Sequence, residues 1–484
     1  MAEESYAGAT WIFLRLLGLI YFAAFVSLAV QIRGLIGSRG ILPVAEARPP
    51  TPLALGTILR APTLCLWSAS DRTLAAHCWA GAAAAVLLVA GVCPLPALLA
   101  LWILYLSVSN AAGIFLGYQW DALLLEMGVI GVLLAPPWLV EALPASYDPP
   151  ALARALAVWL LFRLVFSSGI AKLRSGDPSW RDLTALCHHY ETQPLPNRLA
   201  WHAHRLPRPV HRLTTAAVLA VEIGAPMLLL APAPASYVGA AMIVALMALI
   251  QATGSYCFFN LQAAALCVLV VDDATIRLLV GGGLPIATIP SGAPAAWLAV
   301  VGVCGAGLLI LSAVTLARTI AGDRVLPSRL RGVLRALAPF RVANSYGLFA
   351  VMTTSRPEIV IEGSPDGLAW REYPLPFKPG DPLRAPRTAA PHQPRLDWQL
   401  WFAALGTLEA NPWVVSLLSR LLDGSPDVLA LFARDPFAGE PPKYVRAVLY
   451  DYRFTSARER RATGAWWSRE ELGSYCPPLA RDPG

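Results

Sequence analysis

ARALAVWLLFRLVFSSGIAKL, residues 153–173, is the stretch on which the fold turns. It is predominantly apolar and close to the 20 residues a helix needs to cross the hydrocarbon core of a bilayer. Beyond Arg154 at its edge, two charges interrupt it, Arg163 in the middle and Lys172 at the end. Ionisable groups at membrane depth are expensive, and they are usually functional or paired inside a bundle. Eight further stretches of this kind are found, giving candidate spans at 11–31, 75–93, 95–113, 121–140, 153–173, 212–231, 235–253, 259–280 and 296–316. The expected fold is therefore a polytopic α-helical membrane bundle of about nine transmembrane helices, followed by a small soluble α+β domain.

Composition agrees with this. The chain is 56% hydrophobic and only 14% charged, with a mean hydropathy of +0.54, outside the range of soluble globular chains. The net charge of +7 marks loops beside a membrane rather than a nucleic-acid surface. The eight cysteines form no CxxC pair and no zinc spacing, so neither a disulfide framework nor a metal site is expected, and no cofactor. The N-terminus MAEESYAGAT lacks the basic region of a signal peptide, so the first apolar stretch reads as a retained membrane helix.

Three segments follow: a transmembrane domain at 1–320, a basic amphipathic linker at 321–341 and a soluble domain at 342–484. The pairs 75–93/95–113 and 212–231/235–253 leave almost no loop and read as tight hairpins at Pro94 and Pro96, and at Pro232 and Pro234. If all nine stretches cross, the arginines gather on the side of 32–74, 174–211 and the segment after 316, which places the tail in the cytoplasm. In the linker, GDRVLPSRLRGVLRALAPF (322–340) alternates apolar residues with Arg324, Arg329, Arg331 and Arg335. It reads either as an interfacial helix near anionic lipid or as a plain connector. In the tail, strands are expected at Tyr346–Thr353, Glu358–Glu362, Ala369–Pro374 and a closing Val445–Phe454, with a turn at 364–367. Helices are expected at 397–409, 412–422 and 426–434.

Candidate functional residues fall into three sets. Membrane-buried charges are Arg15, Asp121, Glu126, Arg163 and Glu222, with an internal pair such as Arg163 with Glu222 or Asp121 as the structural alternative to chemistry. Candidate catalytic residues are Lys172, His188, His189 and Glu222. A lysine buried beside a cavity is pushed towards neutrality and can act as a base; equally, Lys172 can snorkel to the interface. The His-His-x-Glu run at 188–191 could hold a metal, or its histidines can simply hydrogen-bond locally. In the tail, Trp398, Trp401, Phe402 and Trp413 could form an exposed client surface, or else the apolar face of helices packed on the small sheet.

Several motifs carry a resemblance along nearly the whole chain: IGSRGILPV (36–44), YQWDALLLEMG (118–128), FRLVFSSGIAKLRSGDPSWRDLTAL (162–186), HYETQPLPNRLAWHAHRLP (189–207) and GSYCFFNL (254–261) in the bundle. In the tail they include NSYGLFAVMTTSRPEIVIEGSPDGLAWREY (344–373), APHQPRLDWQLWFAALG (390–406), LLDGSPDVLALFARDPF (421–437) and PPKYVRAVLYDYRF (441–454). In these the chain resembles the lipase maturation factor family, departing at Cys257, where the family more usually has asparagine. The resemblance implies an integral membrane protein that assists folding and assembly of secreted lipases. In eukaryotes it implies the endoplasmic reticulum membrane, with the tail on the lumenal side, opposite to the arginine count. A chain rich in Ala, Arg and Pro and poor in lysine suggests a GC-rich bacterial genome, hence the plasma membrane. The implied partners are membrane lipids and a secreted client, possibly a lipase. A more distant similarity, SSGIAKLRSGDPSW (167–180), links the bundle to vitamin K-dependent gamma-glutamyl carboxylase and implies Lys172 as a base, which gives a second reading: a membrane enzyme modifying a protein or lipid-soluble substrate.

Overall fold

The computed structural model describes residues 5–49, 53–141, 143–280, 285–322 and 326–481. Among them, seven helices are long and apolar enough to cross a membrane: Ala7–Ala29, Asp71–Ala90, Pro94–Leu116, Ala151–Arg174, Arg208–Leu229, Ala235–Thr253 and Ala295–Ala321. The expected count of about nine is corrected by the other two candidates. Residues 121–140 give a helix of only 16 residues, Gln119–Leu134, stopped before Pro136 and Pro137. Residues 259–280 give two short helices, Phe259–Val268 and Asp273–Leu279, bent by 113°. A turn of helix rises about 5.4 Å, so neither helix alone matches a bilayer of about 30 Å. An eighth span results if the bent pair is one crossing.

Local chemistry sets the helix ends. The Ser70 hydroxyl accepts the Thr73 N–H and opens Asp71–Ala90. Gly91 closes it in the left-handed conformation, φ +75°, and a Cβ there would lie 2.4 Å from both Arg15 Nη2 and the Glu141 carbonyl. Pro94 then begins the next helix at its first turn, as the tight-hairpin reading requires.

Burial ranks the helices. Two-thirds of the core of Ala151–Arg174 (67%) is covered by protein, against 22% for Ala295–Ala321, so the first is central and the second faces lipid. At one end of the bundle, Ala145–Tyr147 pairs in parallel with Ile286–Ser291, and the Ser5 hydroxyl donates to Asp273 at 2.8 Å. The C-terminal segment occupies the opposite end.

That segment carries a four-stranded antiparallel sheet in the order Arg371–Glu372, Pro357–Ser364, Tyr444–Phe454, Trp467–Ala480. Pro357 pairs with Asp451 and Ser364 with Tyr444. Helices Arg395–Ala404 and Trp413–Leu422 accompany it, and the third expected helix shrinks to Pro426–Leu429. The closing strand is not Val445–Phe454 but Trp467–Ala480, whose Gly473, Pro477 and Pro478 hide it in the sequence.

The largest correction concerns residues 346–353, expected as a strand. They form no regular element because their backbone groups are used by the bundle. The Gly347 N–H donates to Gln119 Oε1 (3.0 Å), the Leu348 carbonyl accepts from Lys172 (3.1 Å), the Phe349 carbonyl accepts from the Trp180 indole (3.1 Å), and the Met352 N–H donates to Asp177 (2.6 Å). The tail is thus no appendage. It is laced into the membrane bundle.

Candidate functional site

Between bundle and tail lies a row of buried ion pairs. Nearest the first span, Arg395 of the tail grips Asp121 with both guanidinium nitrogens at 2.9 Å, and both side chains are fully buried. Arg395 also donates to the Phe115 carbonyl at 2.6 Å, and Tyr105 donates its hydroxyl to the same Asp121. Such a two-pronged contact fixes orientation as well as charge.

Next comes Glu126. Arg163 donates to one of its oxygens. The other accepts from the Asn344 N–H (2.9 Å), the Asn344 amide (3.0 Å) and the Tyr346 hydroxyl (2.7 Å). The Arg163 pairs considered from sequence, with Glu222 or Asp121, are therefore replaced, because Asp121 is taken by Arg395 and Glu222 by Lys172.

Lys172 does not snorkel. It is 4% exposed, and its Nζ donates to Glu222 Oε1 at 2.8 Å, to the Leu348 carbonyl at 3.1 Å and to the Ser168 carbonyl at 3.4 Å. Three acceptors for three protons describe a clamped ammonium. Beside it lies an apolar cavity of about 50 Å³ walled by Trp120, Met247, Tyr256, Phe259, Leu348 and Phe349. Glu222 Oε2 has no hydrogen-bond partner among the described residues. That volume holds roughly four waters at about 10–15 Å³ each, and falls far short of the roughly 300–1,000 Å³ of an ordinary substrate pocket.

The histidines stand nearby in separate roles. His189 Nε2 is 3.3 Å from the Tyr256 hydroxyl, and its ring meets Phe349 edge-on. Burial, then the Lys172 charge, pushes its pKa down to about 4, so the ring is neutral near pH 7. His188 is partly buried, and burial again lowers its pKa. Glu191 turns away to accept the Phe454 N–H at 2.7 Å. The His-His-x-Glu run is thus not a cluster, and among the described residues no three His, Cys, Asp or Glu could hold a metal ion.

The expected client surface is mostly interior. Trp398 is 2% exposed and meets Trp120 at 4.8 Å between centroids. Trp401 donates its indole to the Thr192 carbonyl, and Trp413 packs on Phe115. Only Phe402 is open, at 45%. The helices that carry them also pack on the sheet, as the alternative reading expected. Trp398, Trp401 and Trp413 are buried where the tail meets the rest of the chain.

Sequence reasoning missed several partners. Arg395 is one. Arg356, Glu358 and Lys378 form a second buried group, from which Arg356 donates to the Glu191 and Pro194 carbonyls at 2.7 and 2.8 Å. Glu141 binds Arg15 at the far end of the bundle. The one available signal was Arg395 beside the aromatic run of 398–402, because a charge flanking a buried face needs a partner.

Fold and site together define a class: a polytopic helical membrane protein whose C-terminal α+β segment is held to the bundle by a buried ion pair and by hydrogen bonds to two further pairs inside the bundle. Comparison with known proteins narrows the class. The family model described as lipase maturation factor transmembrane domain matches residues 9–278, and that described as lipase maturation factor C-terminal domain matches residues 342–477. The chain belongs to the lipase maturation factor family. Lipase maturation factor 1 of Bos taurus is 34% identical to it over 98% of this chain and 90% of the relative. Lipase maturation factor 2 of Homo sapiens is 34% identical (97% and 82%) and that of Gallus gallus 33% (97% and 81%). No solved structure matches. The gamma-glutamyl carboxylase similarity finds no support in these comparisons.

Proposed function

We propose that this chain is a membrane-embedded maturation factor that assists the folding or assembly of exported proteins, lipases among them. The observation that carries the reading is likeness over the full length, bundle and tail together, to relatives named lipase maturation factors. The interlocked tail supports it, since Phe402 and the loops at that end are held at fixed positions by the bundle. In a bacterium the membrane is the plasma membrane, and this reading requires the tail to face the exported side, opposite to the side the arginine count indicates.

Removal of the gene tests this. The activity of exported lipases should fall while their synthesis is unchanged, and the wild-type chain should restore it. Unaltered exported lipase activity, or a C-terminal reporter active only in the cytoplasm, overturns the reading. The second reading, an enzyme with Lys172 as base, has the adjoining cavity in its favour and the three occupied Nζ protons against it. Lys172→Met with full restoration of lipase activity ends it.

A further inference from the structure

The last membrane helix ends at Ala321, and the helix Ser328–Leu337 follows within a few residues. None of its residues is buried in protein. Leu330, Val333, Leu334 and Leu337 recur at the i, i+3, i+4, i+7 spacing of a single stripe, and Leu330, Val333 and Leu337 are 40%, 49% and 36% exposed. An apolar stripe of this kind without protein against it belongs in an interface.

Two ties fix its height. Its start is joined to the end of one span. Just beyond its other end, the Pro339 carbonyl accepts from the Asn110 amide at 3.1 Å, and Asn110 lies near the end of the span Pro94–Leu116. Both ends of the helix are therefore held at the level where spans finish, which is the boundary between hydrocarbon and headgroups. Arg331 and Arg335 lie one turn apart on this helix. With Arg318, in the last turn of Ala295–Ala321, and Leu334, they line a cleft of about 260 Å³.

We propose that this cleft binds the phosphate of an anionic phospholipid, with the Leu330–Val333–Leu337 face immersed among the adjoining acyl chains. Guanidinium forks suit phosphate oxygens better than ammonium groups do. An arginine beside an anionic lipid headgroup adds about 1 kcal/mol. The apolar stripe selects a lipid over a free anion, because only a lipid supplies chains for it to enter.

Native mass spectrometry of the full chain in detergent, titrated with phosphatidylglycerol or phosphatidylcholine, tests this. The wild type should retain one phosphatidylglycerol in preference to phosphatidylcholine. The Arg331→Gln/Arg335→Gln variant should weaken that retention about thirtyfold. Should the double variant fail to fold, Arg335→Gln alone, at an exposed position, should show about fivefold. Equal retention of both lipids overturns the proposal, and so does unchanged retention in the variants. Displacement of the lipid by millimolar inorganic phosphate would make the cleft a site for free anions and overturn the lipid assignment.

Discussion

His189 shows at the scale of one residue how far burial carries chemistry. Its ring is packed between Tyr256 and Phe349, and its pKa falls to about 4 from an ordinary 6.5. Well above pH 6.5 the ring is neutral in both folded and unfolded chains, so it contributes no pH dependence there. As pH falls from 6.5 to about 4, the unfolded chain takes up a proton that the folded chain refuses, and stability drops. The full loss is about 3 kcal/mol at 1.36 kcal/mol per pKa unit. His189→Gln should abolish this part of the pH dependence, as read from thermal unfolding in detergent at pH 7 and pH 4.5. Parallel curves for the two proteins would show that the ring is solvated. A histidine pair was legible in the sequence; its neutrality was not, because Phe349 reaches it from far along the chain. Cys257 adds a smaller case. Its φ of +46° lies in the left-handed region, where asparagine is one of the few favoured side chains, so Cys257 holds a backbone conformation unusual for its type.

Between elements, register is set by ion pairs. Lys172 and Glu222 link the helices Ala151–Arg174 and Arg208–Leu229 and tie both to the Leu348 carbonyl. Removing one partner strands the other charge in a buried site, at a cost of about 3–5 kcal/mol. Lys172→Met and Glu222→Leu should each lower the unfolding transition markedly, while the double variant recovers most of the loss, because two apolar side chains of suitable volume need no partner. Additive losses in the double variant would show that the two groups act independently. Arg15, Asp121, Glu126, Arg163 and Glu222 stand out in the sequence as charges inside apolar stretches, and the structure pairs all five. Their partners were not legible, since Arg163 faces Glu126 rather than Asp121 or Glu222 through helix rotation and packing. The strap at 346–353 illustrates the same limit. Its composition suits a strand, but a strand needs a sheet partner, and the bundle takes its backbone groups first.

At the scale of the whole molecule, bundle and tail share a buried boundary, and we expect them to fold as one unit. Trp398, Trp401 and Trp413 are buried, and Arg395 has its carboxylate partner in the bundle. A fragment starting at residue 342 would expose those indoles and strand that arginine. Expressed alone, it should aggregate or show no cooperative unfolding. A monodisperse fragment with a sharp transition by circular dichroism would establish an independent domain. The amino-acid sequence alone determined that hydrocarbon solvates most of this chain and that the tail mixes strands and helices, because those properties depend on runs of neighbouring residues; which apolar runs form helices long enough to cross was settled by where each helix ends or bends. Only the tertiary structure decided that the tail is wedged into the bundle, which charge meets which, and that Lys172 is clamped. Each of these depends on distances between residues remote in sequence, and a buried charge is satisfied by whichever partner the packing brings to it.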